Sequence, residues 1–381
     1  MEPDAKLRQW GEPPWKVSFR QRKLSLPQNV DFAIVGAGFS GLAAAAWLRR
    51  LAPEKNVAVL EARSVGAGSS GHTGGIALAE TAAGGLPGLG DVLRGVKRIL
   101  RTLRVDCDLV LGDAYELSHR AGRADSPIRW SDAGELRMAQ QVPGGTVNPG
   151  KLVSGLARAA SRLGAKIFEN ARVESVDRGK SLLVSVGGRE ILAERALVAT
   201  NAMSLELSGL AGRAQPKFTL AVATEPLASK QLRALGLASR RPFYTVDLPY
   251  LWGRVLRSNA VVFGSGLVHL TDWRELETLS IRSGEPAALI SRLEERVRRL
   301  HPALQGVKFT HRWGGPMLIG EQWKPVFTRR AESKNLLVLG AYSGHGVALS
   351  VYLGCWAAEA LLGRRALPNW GEWADASRAE V

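Results

Sequence analysis

The sequence predicts an α/β protein in which a parallel-sheet domain is interleaved with an antiparallel-sheet domain, and three observations predict it. An apolar run from Val30 to Val35, broken at Asp31, passes through Gly36, Gly38 and Gly41 into the alanine-rich segment Leu42 to Leu51. That is the pattern of strand, tight turn and helix. At the far end, the run Leu336 to Leu339 leads through Gly340-Ala341-Tyr342-Ser343-Gly344-His345-Gly346 into a helical stretch from Val347 to Leu362. Between these ends, residues 213–309 hold several short strand-like runs and one long helical pattern.

At 381 residues the chain suits two intimately joined domains around a large core. Residues 1–28 lack regular periodicity and read as an arm, with Trp10 and Trp15 anchoring it to the body. The parallel-sheet domain is expected from residues 29–80, 143–212 and 310–365, and the antiparallel domain from residues 81–142 and 213–309. Cys107 and Cys355 have neither CxxC nor paired metal spacing, which argues against a disulfide framework or a zinc site and fits a reducing cytoplasm. None of the six histidines pairs at metal-ligand spacing, so no catalytic metal is expected.

The first residues mix charges with Pro13 and Pro14 and lack the apolar stretch of a secretory leader. The longest apolar window, Ala33 to Leu48, falls short of the roughly 20 residues that span a bilayer, so no transmembrane segment is expected. A formal net charge of +16 predicts a surface that attracts anions. No RNA-binding module or basic tail accompanies it, so nucleic acid is not the expected partner.

In the first glycine turn, Gly36 permits the sharp bend, Gly38 lets the backbone approach a pyrophosphate, and Gly41 lets helix pack on strand. Phe39 and Ser40 open the helix, whose positive end faces the phosphates. A second run, Val57 to Leu60, delivers Glu61 at about the 20-residue spacing where a carboxylate accepts from a ribose. Ala62 and Arg63 follow. Then comes another small-residue loop, Gly66-Ala67-Gly68-Ser69-Ser70-Gly71-His72-Thr73-Gly74-Gly75. Together these features predict a dinucleotide site.

Further along, Thr81 to Gly90 reads as a crossing between domains, and Asp91 to Arg104 as an amphipathic helix with a basic, solvated face, weakened by Gly95. Residues 113–141 are mixed, and Pro143-Gly144-Gly145 marks a turn before a helix over Pro149 to Leu163. Ala165 to Asp177 and Ser181 to Val186 read as strands joined by a turn at Arg178-Gly179, and Ala196 to Ala199 as a buried strand. Phe218 to Thr224, Tyr244 to Trp252, Arg254 to Arg257 and Ala260 to Phe263 have strand character, and Pro286 to Leu300 forms a core-facing helix stopped by Pro302.

The run DFAIVGAGFSGLAAAAWL, the VLEA containing Glu61, the loop GAGSSGHTGG and the segment GAYSGHG resemble FAD-dependent oxidoreductases of the D-amino-acid oxidase (DAO) type, in the gamma-glutamylputrescine oxidase branch. The resemblance runs from about Trp10 to Gly363 and implies a Rossmann-like FAD-binding domain of the glutathione-reductase type. It implies adenine contacts around Val173 and places Thr200 and Asn201 near the dinucleotide. It also implies that Gly340, Tyr342, Gly344, His345, Gly346 and Val347 approach the flavin, where a helix amino terminus faces charge that accumulates on reduction. His72 aligns with a histidine joined covalently to the flavin in sarcosine and dimethylglycine dehydrogenases. Both a covalent bond and a polar contact through His72 therefore stay open.

A flavin enzyme that oxidises a C–N bond needs an unprotonated amine and a pocket that excludes water, while the cofactor carries the hard step. Desolvation in an aromatic pocket disfavours the ammonium, so no dedicated base is compelled. Tyr250, Trp252, Trp313 and Trp323 are candidates for that lining, and His345 for orienting the loop or contacting flavin. Where many amino-acid oxidases of this type carry a carboxylate-binding arginine, the matching stretch Trp313-Gly314-Gly315-Pro316-Met317 has none, and Arg254 is the alternative carboxylate partner. The expected activity is oxidation of a small amine or N-substituted amino acid to an imine, with O2 giving hydrogen peroxide. The alternatives are a dehydrogenase serving an electron-acceptor protein or quinone, and a flavoprotein accessory or tRNA-modifying factor.

Overall fold

The computed structural model describes residues 8–20, 24–178, 181–330 and 333–371. In chain order the strands are β1 (Asn29–Val35), β2 (Val57–Leu60), β3 (Ile76–Leu78), β4 (Val110–Ser118), β5 (Arg129–Ser131), β6 (Glu135–Thr146), β7 (Lys166–Phe168), β8 (Val173–Arg178) and β9 (Leu182–Val186). They continue with β10 (Arg189–Val198), β11 (Gln215–Thr224), β12 (Phe243–Thr245), β13 (Trp252–Val255), β14 (Val261–His269), β15 (Phe309–Ile319), β16 (Val326–Arg330) and β17 (Ser333–Gly340). The long helices are α1 (Phe39–Leu51), α2 (Val92–Leu103), α3 (Pro149–Arg162), α4 (Gly284–Leu300) and α5 (Gly346–Leu361).

Two sheets divide the strands. The first runs β16-β17-β10-β1-β2-β7, parallel from β17 through β7, with β8 and β9 added antiparallel beside β10. β1 is buried along Phe32 to Val35, as a central parallel strand covered on both faces must be. α1 and α5 pack together so closely that a Cβ on Gly354 would stand 2.5 Å from the carbonyl oxygen of Ser40. The helices that begin at the two glycine turns therefore lie side by side, although one starts near residue 39 and the other near residue 346.

The second sheet runs β15-β11-β14-β13-β12-β4-β6-β3, with β5 beside β6, and is antiparallel except where β12 meets β4. α4 lies against β11 and β14, burying Ile290, Leu293, Val297 and Leu300. The arm bridges both halves. Trp10 is buried and its indole N–H donates to Leu276 O at 3.1 Å, while the Trp15 indole donates to Gly71 O at 2.8 Å.

Several local expectations change. Pro143-Gly144-Gly145 is not a turn but lies inside β6, where close approach between strands requires the small residues: a Cβ on Gly145 would meet Val110 O at 2.2 Å. The expected strand over 165–177 is broken into β7 and β8, with Asn170 between them at φ 54°. The run from Tyr244 to Trp252 is likewise two short strands, β12 and β13, separated by a loop over residues 246–251. Of the expected turn at Arg178-Gly179, Arg178 ends β8 and Gly179 lies outside the described residues. Gly95 does not interrupt α2; it admits the Tyr352 ring, which a Cβ would approach to 2.4 Å.

α2 packs on α5 despite its position in the stretch expected for the antiparallel domain, because its apolar side joins the core shared with α1, α3 and α5. β3 and the end of β6 cross the expected limits at residues 80 and 143 and belong to the second sheet. We propose domain limits that follow the sheets, with residues 76–78, 110–146 and 213–319 in the antiparallel domain and α2 in the parallel-sheet domain.

Candidate active site

Loops from distant parts of the chain meet over the carboxyl ends of β1, β2, β10 and β17 and are tied to one another. The Phe39 N–H donates to Ser70 Oγ at 2.9 Å, and Ser40 Oγ lies 2.6 Å from the Tyr342 hydroxyl. Asn201 Nδ2 donates to Ser69 Oγ at 3.2 Å, while its Oδ1 accepts from the Ala341 N–H at 3.0 Å. Ser69 Oγ donates in turn to Pro316 O at 2.7 Å. Both glycine-rich turns, the Thr200-Asn201 edge and β15 are thus one hydrogen-bonded unit.

The unit walls a cavity of about 1010 Å3 that continues to the antiparallel sheet. Gly36, Gly38, Phe39, Ser40, Glu61, Ala62, Arg63, Ser69, Ser70, His72, Thr73, Gly74, Val173, Thr200 and Asn201 line it from the first sheet. Tyr342, Gly344, His345, Gly346 and Val347 line it from the carboxyl-terminal turn, and Tyr250, Trp252 and Trp323 from the other side. Gly41, Gly75 and Gly340 stand behind the lining as close-packing residues. A Cβ on Gly41 would meet Gly36 O at 2.0 Å, and Gly36 itself has φ 104°.

Glu61 is held by two backbone donors: Oε2 accepts from Ala37 N–H at 2.8 Å and Oε1 from Arg63 N–H at 2.9 Å. Burial nevertheless raises its pKa, against the pull of those N–H groups. The His72 Nδ1–H donates to Gly68 O at 3.0 Å, which leaves Nε2 with the lone pair. Burial lowers its pKa, so the ring is neutral at pH 7, and Trp10 packs edge-on against it with centroids 5.5 Å apart. His345 is also held neutral by burial, and its Nδ1 has no hydrogen-bond partner among the described residues.

Two expected site residues are placed elsewhere. Trp313 is fully buried behind the His72 loop, donating its indole N–H to His72 O at 2.9 Å and meeting Trp15 edge-on. Arg254 is buried beneath the same loop, with its guanidinium 5.5 Å from the Trp15 ring centroid and its Nε unpartnered among the described residues. Burial pulls its pKa down to about 10. Neither lines the cavity: each shares a strand face with a lining residue two positions away, Trp252 and Gly315, but lies under the His72–Gly75 loop, Trp313 bonded to His72 O and Arg254 against Gly75.

The sequence reading missed Glu80, Glu116 and Tyr244, which all line the cavity. The Tyr244 hydroxyl donates to Glu116, and its ring meets His345 edge-on at 6.5 Å. Burial, then the Glu116 and Glu80 charges, drive the Tyr244 pKa upward. In the three-residue strand β12, alternation is too short to single out Tyr244.

The loop over residues 246–251 rims this half and is clamped from outside. Arg296 donates to Pro249 O at 2.8 Å, to Tyr250 O at 2.8 Å and to Asp132, while His119 bridges Asp132 at 3.1 Å and Asp247 at 2.7 Å. For Asp132, burial raises the pKa, but the Arg296 and His119 hydrogen bonds and charges outweigh it, leaving the value lowered. Asp247 is lowered in the same way by its hydrogen bonds to His119 and Ser118, against burial.

This geometry is that of a dinucleotide site that opens onto an antiparallel sheet. A profile of the family described as DAO, FAD dependent oxidoreductase, matches residues 31–360, and the chain belongs to that family. It is 25% identical over 376 residues to gamma-glutamylputrescine oxidoreductase of Escherichia coli (strain K12), covering 87% of this chain and 84% of that protein. Glycine oxidase from Geobacillus kaustophilus superposes with a TM-score of 0.70 at 19% identity, covering 89% of this chain and 96% of that one. L-proline dehydrogenase from P. horikoshii superposes with a TM-score of 0.68 at 16% identity, covering 90% and 96%.

The cofactor is FAD, and the residues present fit it. Gly38 leaves open a place where a Cβ would stand 2.9 Å from Ser70 Oγ, clearing backbone for a pyrophosphate. Ser70 Oγ, having accepted from Phe39, keeps its proton to donate. Thr200 Oγ1 and His345 Nδ1 are buried cavity-lining atoms without protein partners among the described residues, suited to a polar ring system. No helix of the described residues is long and apolar enough to cross a membrane.

Proposed function

We propose that this enzyme oxidises a small amine at its C–N bond, with O2 as the acceptor. The net change is RCH2NH2 + O2 → RCH=NH + H2O2: a hydride and a proton leave the amine, and both electrons reach oxygen. Bound FAD supplies the hydride-accepting centre. The observation that carries the reading is the single cavity joining the dinucleotide loops to an aromatic half lined by Tyr244, Tyr250 and Trp252; among the described residues its lining arginines, Arg63 and Arg172, stand on the Glu61 side.

In this reading Glu61 holds the ribose, and the amino-terminal turn of α1 with Ser70 faces the pyrophosphate. The amino terminus of α5 and His345 face the ring, and the aromatic walls exclude water and favour the neutral amine. Without an arginine on the substrate side, a free amino acid lacks a bidentate carboxylate partner. The family resemblance to both amine and amino-acid oxidases makes that absence the deciding feature.

His72 is read as a polar contact to the flavin, with Nε2 available and the ring neutral. Acid precipitation checks this: flavin in the supernatant supports a contact, and a yellow pellet establishes a covalent bond. Mixing purified protein anaerobically with amines, sarcosine and glycine tests the reaction itself. Bleaching of flavin absorbance by amines, followed by oxygen consumption without added acceptor, is expected; bleaching confined to amino acids overturns it.

A further inference from the structure

A charge stands behind the cavity wall that neither the core nor the amine reading uses. Arg254 on β13 is 5% exposed, and its Nε has no partner among the described residues. The acid that acts on it is Asp108, whose carboxylate is already engaged by Lys151 at 2.8 Å and Arg257 at 3.1 Å. The Trp15 ring, with its centroid 5.5 Å from the guanidinium, offsets part of the desolvation cost. With a pKa of about 10 the group is charged at pH 7. A buried cation without a counter-ion is costly, and an apolar side chain of similar length would fill the same space without that cost.

Its placement supplies a reason for the charge. The guanidinium lies against Gly75, where a Cβ would stand 3.1 Å from a terminal nitrogen and where φ is 78°. Gly74, its neighbour, lines the cavity, and a Cβ there would meet the Trp252 ring at 2.1 Å. Guanidinium and cavity are therefore separated by one pass of backbone that carries no side chains. In such a dry, thin wall little screens the charge.

The lining has the opposite character. His72 and His345 are held neutral by burial, Glu80 and Glu116 add negative charge, and the lining arginines among the described residues, Arg63 and Arg172, stand on the Glu61 side. A flavin that accepts a hydride gains two electrons and one proton, so its ring becomes more negative by one unit, which nearby carboxylates disfavour. A cation behind the wall offsets that without occupying substrate space. We propose that Arg254, held behind the Gly74-Gly75 backbone, favours the negative charge that bound FAD acquires on reduction and so raises its midpoint potential. It acts through its field, as a positioning residue. The proposal needs FAD and is independent of which substrate is oxidised.

The test reduces the FAD-loaded enzyme stepwise with dithionite against a reference dye. Wild-type flavin is expected to be reduced at a higher potential than free FAD, and a value at or below that of free FAD overturns the proposal without any variant. Arg254→Met is expected to lower the ratio of reduced to oxidised flavin at a set potential by about tenfold, about 30 mV for a two-electron couple. It should also weaken sulfite binding by about tenfold, because sulfite adds to the oxidised ring and leaves it negative. Its melting temperature should equal or exceed that of the wild type, since an unpaired buried charge is removed. Arg254→Lys, which keeps the charge, should retain most of the wild-type potential and sulfite affinity. An unchanged potential in Arg254→Met, or a lysine variant that falls as far as the methionine one, overturns the proposal, and a lowered melting temperature with unchanged potential makes Arg254 structural. If Arg254→Met does not accumulate as folded protein, Arg254→Gln replaces it with the same expected potential and sulfite affinity.

Discussion

The two halves of the cavity are built by opposite means. On the dinucleotide side, short contiguous motifs set the geometry: Gly36 to Gly41 turns directly into α1, and Glu61 follows β2 and accepts from the backbone of Ala37 and Arg63. On the substrate side, nothing contiguous defines the wall. Glu116 on β4, Tyr244 on β12, Trp252 on β13 and His345 before α5 are brought together only by strand pairing and by the packing of one sheet against the other. The first half should be most sensitive to added bulk at its turns, and the second to loss of contacts between distant strands.

Truncation of the bridge between the halves should have the largest effect. Trp10→Ala removes a fully buried indole lying between His72 and Phe218, and should cost about 4 kcal/mol. Denaturant unfolding measures this, and a loss below about 1 kcal/mol would mean the arm does not join the halves.

Gly41→Ala should come next, at about 3 kcal/mol, because the new methyl would press on Gly36 O at 2.0 Å. Flavin absorbance per polypeptide should drop with it. Retention of full flavin would break the claim that local backbone closeness defines that half.

Arg296→Met removes the clamp on the loop over residues 246–251 and leaves Asp132 bonded to His119 alone, at about 2 kcal/mol. Flavin content should hold while KM for the amine rises, which separates the halves cleanly. The same clamp predicts an acid limit. The lowered native pKa values of Asp132 and Asp247 mean their contribution is present above the ordinary carboxylate value near pH 4 and is lost as pH falls through the native values. Arg296→Met should flatten that acid loss in a thermal melt taken across pH 2 to 6.

Tyr244→Phe should have the smallest effect, about 1 kcal/mol, through the hydrogen bond it removes from Glu116. It should alter KM without touching flavin retention. A loss of flavin instead would place Tyr244 in the cofactor cradle.

The sequence by itself determined the dinucleotide half: the glycine spacing at Gly36, Gly38 and Gly41, the acid at Glu61 and the second turn through Gly344 and His345 are local patterns, each imposed by the backbone within a few residues. Tyr250 and Trp252 were legible as wall candidates, whereas Trp313 and Arg254, equally plausible in the sequence, are covered by the His72–Gly75 loop. Only the tertiary structure decided that difference, together with the places of Glu80, Glu116 and Tyr244. The reason is physical. Which part of a strand face stays open and which is covered by a loop from elsewhere depends on pairing and packing between distant segments, which no short stretch of sequence contains.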